Sequence, residues 1–204
     1  MSVFAIVCSM SKSTKSATPR ERILETASEL FYKQGYRSTG INEVIRQSGV
    51  AKATFYNHFP AKDDLCLAYL DGRSDAEKNS ITGQVQSKRS PRTKFLAVME
   101  AILPWMETND LRGCEYLNTV AEVPDPDNPL RRRGRQHYKW LHGLIRELAE
   151  NLLESDPSRY KDLDARQLAD DYMVALVGSI ALSEVYHDTW PIKHAITMVR
   201  NMID

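Results

Sequence analysis

Apolar residues in this chain recur every three to four positions in segment after segment, the period of an α-helix with one face packed inward. From Pro19 onward Ile23, Ala27, Leu30 and Phe31 keep that spacing, behind Thr18 as a candidate N-cap and with acid at Glu21. Gly35 ends this helix. A second, over 39–48, buries Ile41, Val44 and Ile45 and stops at Gly49, which supplies a turn. A third, over 52–59, sets Phe55 and Phe59 four apart on one face and leaves Lys52, Thr54, Tyr56, Asn57 and His58 to the others. Pro60 opens a fourth helix carrying Leu65, Leu67, Ala68 and Leu70. After a polar stretch at 82–91, helical patterns return at 95–106, 114–123, 130–153, 168–185 and 192–203, with Pro and Asp gathered in the breaks. Alternating strand-like runs and internal repeats are missing, so the expected fold class is all-α.

Two short helices joined by Gly49-Val50-Ala51, the second rich in polar residues, are what a helix-turn-helix needs: one buried helix and one pressed into the major groove of DNA. Short helices are marginal alone. Phe55 and Phe59 must therefore lock the second helix onto the first two. Lys52, Tyr56, His58 and Lys62 are then able to donate to phosphates, which sets register, whereas Ala53, Thr54 and Asn57 are short enough to reach base edges or a thymine methyl. The plainer reading makes Tyr56 and His58 half-buried packing residues.

Composition narrows the class. With 204 residues, 42% hydrophobic and 26% charged, the chain is long enough to bury a sizeable core and is neither disordered nor collagen-like. Cys8, Cys66 and Cys114 are odd in number and far apart, so neither a disulfide framework nor a cysteine zinc site is expected, and a reducing cytoplasm fits. No segment approaches the roughly 18 apolar residues of a membrane span. The apolar run at 3–8 is also too short for the core of a secretion signal. Residues 1–18 read as a flexible arm, with Met10 a candidate start of translation and with Lys12 and Lys15 as solvated charges or minor-groove probes. Net charge is zero, yet residues 1–62 hold nine Lys or Arg against four Glu. A basic first third joined to an acidic remainder suits a polyanion partner at the N-terminal end.

The ordered run Thr39-Gly40-Ile41, then Ser48-Gly49-Val50-Ala51-Lys52-Ala53-Thr54-Phe55-Tyr56-Asn57-His58-Phe59-Pro60-Ala61-Lys62-Asp63-Asp64-Leu65, resembles the TetR family signature. The resemblance implies a bacterial, cytoplasmic, homodimeric repressor with two parts. A three-helix helix-turn-helix domain over 19–65 would bind a palindromic DNA operator. A larger helical domain over 66–204 would bind a small-molecule effector and form the dimer. Position by position, it implies that Thr39, Tyr56, His58 and Lys62 hold phosphates and that Lys52, Ala53, Thr54 and Asn57 face the bases. Ile45, Ser48, Ala53 and Ala61 depart from the usual pattern. The last leaves the fourth helix without the usual Ser or Asn cap, at about 0.5–2 kcal/mol if nothing replaces it.

In the C-terminal part, Val177, Ile180 and Ala181 of one helix and Ile192, Ala195, Ile196 and Val199 of the next are candidates for a four-helix dimer interface, or else for an intrachain core. Trp105, Met106, Cys114, Tyr116, Asn118, Tyr138, Leu141, His142 and Met173 combine aromatics, sulfur and a few polar atoms, as effector pockets do and as plain cores also do. Arg131, Arg132, Arg133 and Arg135 read as a solvated helix start paired with nearby acids. A metal-carrying helical bundle is the rival class. However, His137 and His142 are five apart, not the three or four that put two ligands on one face, and no catalytic residue is recognisable. No enzyme activity, cofactor or metal is expected.

Overall fold

The structure is a computed structural model that describes residues 17–204. Nine helices and no strand occur among the described residues: α1 (Pro19–Gln34), α2 (Ile41–Ser48), α3 (Lys52–His58), α4 (Lys62–Ser87), α5 (Pro91–Thr108), α6 (Glu115–Glu122), α7 (Pro129–Ser155), α8 (Ala165–Tyr186) and α9 (Trp190–Asn201). Local chemistry explains the ends. Thr18 and Glu21 form a reciprocal capping box before Pro19, and hydrogen bonds from Thr18 lower the Glu21 pKa. Ser90 and Thr93 do the same for α5. At the start of α4 Ala61 offers no side-chain cap, but Asp64 Oδ2 reaches back to accept from the Ala61 N–H at 3.0 Å, the reciprocal half of a capping box. The arm expected at residues 1–18, with Met10, Lys12 and Lys15, lies outside the described residues, apart from Ala17 and the capping Thr18.

The chain divides into two compact units. The first comprises the residues up to Ala76 together with Glu115–Gln136, so α6 and the start of α7 join the three N-terminal helices. Its centre is Ile23, Ala27 and Phe31 of α1, Val44 of α2, Phe55 of α3, and Leu65 and Leu70 of α4, all buried. Tyr116 of α6 is fully buried there and donates to the Leu70 carbonyl at 2.7 Å. Gly134 allows a close approach of α6 to α7, since a Cβ there would stand 2.7 Å from Val120. Arg73 and Glu115 form a mostly buried ion pair at 2.9 Å. Burial alone would lower the Arg73 pKa, but the Glu115 carboxylate together with Tyr69 and Tyr32 outweighs it and the net shift is upward.

The second unit comprises Glu77–Cys114 and His137–Asp204, in which α8 packs on α9 and α5 on both. Phe95 meets Tyr172 edge-on at 5.1 Å, and the Tyr172 oxygen accepts from the Met99 N–H at 2.6 Å. Two expectations change here. The helix α4 continues through the polar stretch to Ser87, anchored by buried Ile81 and Val85 at i and i+4. In addition, Ile180, Ile192, Ala195 and Val199, candidates for the dimer interface, are buried inside their own chain at 0–4% exposure. They face the helices of their own bundle, which leaves a different stripe open. Val177 and Ile196 are half-buried and Ala181 is exposed.

Candidate DNA-binding site

Gly49 takes the left-handed conformation (φ 65°, ψ 30°) that ends α2 and turns the chain into α3. Val50 in the turn is buried, and so are Phe55 and Phe59, at 0% and 3% exposure. Their rings are 6.4 Å apart and hold α3 by one face. The opposite face carries Lys52, Ala53, Tyr56, Asn57 and His58, all exposed, with Thr54 half-buried at its edge. Tyr56 stands edge-on to Phe55 at 5.3 Å and is 40% exposed. Arg20, near the start of α1, lies over Phe59 at 5.3 Å and adds a cation beside the recognition helix; its place near that helix depends on packing rather than on spacing.

Two of the eight residues expected at DNA sit differently. Thr39 is 1% exposed and its hydroxyl donates to the Gly35 carbonyl at 2.7 Å, so it braces the α1–α2 turn instead of offering a phosphate contact. The Lys62 ammonium donates to the Arg37 carbonyl at 3.3 Å and lies 4.5 Å from the centre of the Tyr36 ring. Burial there lowers its pKa. Its charge remains near the recognition helix but is already engaged. The arginines at the start of α7 also have local work: Arg131, Arg132 and Arg135 donate to the Val123, Asp127 and Pro126 carbonyls, fastening the loop before that helix.

The residues considered for an effector fall in both units. Tyr116 and Asn118 belong to the first unit; Trp105, Met106, Cys114, Tyr138, Leu141, His142 and Met173 belong to the second. Within the second unit the Tyr138 hydroxyl donates to Cys114 Sγ at 3.3 Å. Met106 and Leu141 are buried, and Trp105 and Met173 half-buried. His142 instead pairs with Asp170 at 2.7 Å near the surface. Two clefts are described, of about 310 Å³ between α1 and α2 and about 210 Å³ lined by Pro91, Lys94, Leu148 and Asn151; neither is lined by any of these residues. Among the described residues no cluster of three or more His, Cys, Asp or Glu is arranged to hold a metal ion, and no helix is long and apolar enough to cross a membrane.

Spacing alone also missed an apolar surface on α8 and α9. Val174, Leu182, Val185, Tyr186, Trp190 and Met198 are 41–76% exposed. These side chains are large, apolar and open to water on the outer side of the two helices.

A helix seated through Val44 and Ser48, with Ile41 and Ile45 only half-buried, a glycine turn and a short helix offering polar groups from a phenylalanine base together define a helix-turn-helix DNA-binding protein. Comparison with known proteins gives the family. The pattern described as "Bacterial regulatory proteins, tetR family" matches residues 23–69, and "Tetracyclin repressor-like, C-terminal domain" matches 91–199. The chain belongs to the TetR family and is a DNA-binding transcriptional regulator. It is 25% identical to the HTH-type transcriptional regulator LmrA of Bacillus subtilis over 90% of this chain and 96% of that one. It is 24% identical to the HTH-type transcriptional repressor NemR of Escherichia coli over 95% and 98%. The crystal structure of SCO4454, a TetR-family regulator from Streptomyces coelicolor, superposes with a TM-score of 0.81 at 29% identity, covering 91% of this chain and 94% of that one.

Proposed function

We propose that the protein is a cytoplasmic, homodimeric repressor that acts by binding, reading a palindromic operator with residues of the 19–65 segment and releasing it when an effector binds the 66–204 part. The single observation that carries this reading is the outward face of α3, where Lys52, Ala53, Tyr56 and Asn57 stand exposed over a buried Phe55. Lys52, Ala53, Thr54 and Asn57 read bases; Tyr56 and His58 hold phosphates. Thr39 and Lys62 shape the frame from which they do so. One helix reads too few base pairs for genomic specificity, and the open apolar stripe on α8 and α9 supports pairing of two chains. The effector is a small molecule of unassigned identity, and Trp105, Met106, Cys114, Tyr138, Leu141 and Met173 of the second unit are the candidates to meet it. NemR and LmrA carry the names repressor and regulator, which supports regulation by this kind of protein.

Selection of duplexes from a random-sequence pool by the purified protein tests the reading. The expected product is an inverted repeat with half-sites about one helical turn apart, roughly 34–36 Å. Recovery of no preferred duplex at low salt would refute it.

A further inference from the structure

The α1–α2 turn is gripped from outside the three-helix motif. Glu122, the last residue of α6, accepts from two successive backbone N–H groups, Tyr36 to Oε1 at 3.0 Å and Arg37 to Oε2 at 2.6 Å. The preceding Gly35 has φ +90°, and a Cβ there would stand 2.5 Å from Glu122 Oε1. A side chain at residue 35 would push the carboxylate out of this seat, so the glycine keeps the seat open. On its other side the same turn is tied to the first residues of α4. Lys62 donates to the Arg37 carbonyl, the Tyr36 hydroxyl donates to Asp63, and Asn128 Nδ2 donates to the second Asp63 oxygen at 3.4 Å. Desolvation and the Asp63 carboxylate raise the Tyr36 pKa, so that hydroxyl stays a donor. Only three residues separate α3 from α4, and the turn leads directly into α2. The frame that holds the turn is thus the frame that carries the recognition helix.

We infer that Glu122 is a positioning residue for DNA binding: by filling the paired N–H groups of Tyr36 and Arg37 it fixes the pose in which α2 and α3 meet the duplex. Hydrogen bonds to a carboxylate are roughly twice as strong as neutral ones, and two parallel bonds also define an orientation. Glu122→Gln keeps the shape but places an NH2 against one of the two N–H groups. It also removes a negative charge from a DNA-binding unit. These two changes act oppositely on affinity. Charge alone makes the variant bind DNA more tightly; a lost pose makes it bind more weakly.

The test uses the full chain and a duplex selected by the wild-type protein, at a temperature where circular dichroism shows every variant folded. Glu122→Gln is expected to weaken binding about tenfold, since about 1.4 kcal/mol corresponds to a factor of ten. The slope of affinity against salt stays unchanged because no phosphate contact is lost. Amide hydrogen exchange at Tyr36 and Arg37 quickens. Glu122→Asp, which keeps the charge on a shorter arm, gives a smaller loss, and it decides the matter should the glutamine variant fail to fold. Equal or tighter binding alongside faster exchange overturns the inference, as does a changed salt slope. The inference rests on the DNA-binding reading. A wild type that selects no duplex sinks both, whereas wild-type binding matched by the variants sinks this one alone.

Discussion

Val174→Lys combined with Val185→Lys should convert the protein from dimer to monomer without unfolding it. The two valines are 75% and 76% exposed on α8, so the folded chain loses almost no internal packing when they change. Fully burying a valine contributes about 1.5–3 kcal/mol, and with three-quarters of the side chain still to be covered each valine gains about 1–2 kcal/mol at an interface. A two-fold interface uses every residue twice. Four side chains therefore supply about 4–8 kcal/mol, which at about 1.4 kcal/mol per decade is three to six powers of ten in the dissociation constant. Lysines there add the cost of desolvating charge. Sedimentation equilibrium of wild type and variant across a range of protein concentrations reads the result directly. A wild type that stays monomeric throughout, or a variant that keeps the wild-type dissociation constant, would show that this stripe is not the interface.

Other consequences are equally specific. Phe55→Ala deletes a ring that is 0% exposed, a change that costs about 3–5 kcal/mol in cores; DNA binding should vanish while calorimetry still shows the second unit melting cooperatively. Tyr56→Phe should weaken binding to all duplexes alike, whereas Asn57→Ala should alter which duplexes a random pool yields. Burial, with the Asp63 carboxylate adding to it, pushes the Cys66 thiol up to about 12. The folded state thus holds the neutral thiol, and the stability this provides is present below the ordinary value of 9.0 and lost as pH climbs from there toward about 12. Cys66 should accordingly resist alkylation at pH 8 in the native protein and react once denaturant is added; rapid native labelling would contradict the burial.

Helix existence was legible because each element carries its own signal, whereas placement depends on partners far along the chain. The Gly49 turn and the Phe55/Phe59 spacing are local and led directly to the recognition helix. Thr39 shows the limit: a hydroxyl at a given position says what can be donated, but the Gly35 carbonyl 2.7 Å away decides where the proton points. Lys62 shows the same for charge, since its neighbours Tyr36 and Arg37 lie some 25 residues earlier in sequence. The membership of α6 in the first unit was equally hidden. It rests on contacts such as Tyr116 to Leu70 and Glu122 to Tyr36, separated by 46 and 86 residues, which periodicity does not encode.

The helix α8 shows why a residue list for an interface is harder to read than the interface's existence. Its sequence is apolar nearly all round: Met173, Leu176 and Ile180 mark one stripe, while Val174, Leu182 and Val185 mark another. A helix buried on one side needs only one stripe, so the second is left available to a partner. Periodicity cannot say which stripe meets which partner. Packing against α9 and α5 resolves it, since Leu176 and Ile180 fall to 1% and 4% exposure while Val174 and Val185 stay open. Small residues at Ala181 and Gly178 lie beside the open stripe, where close approach of another helix would need them. The stripe spent on the intrachain core is thus the one a reading by hydrophobicity selects first, and the stripe left over is the one that can recruit a second chain.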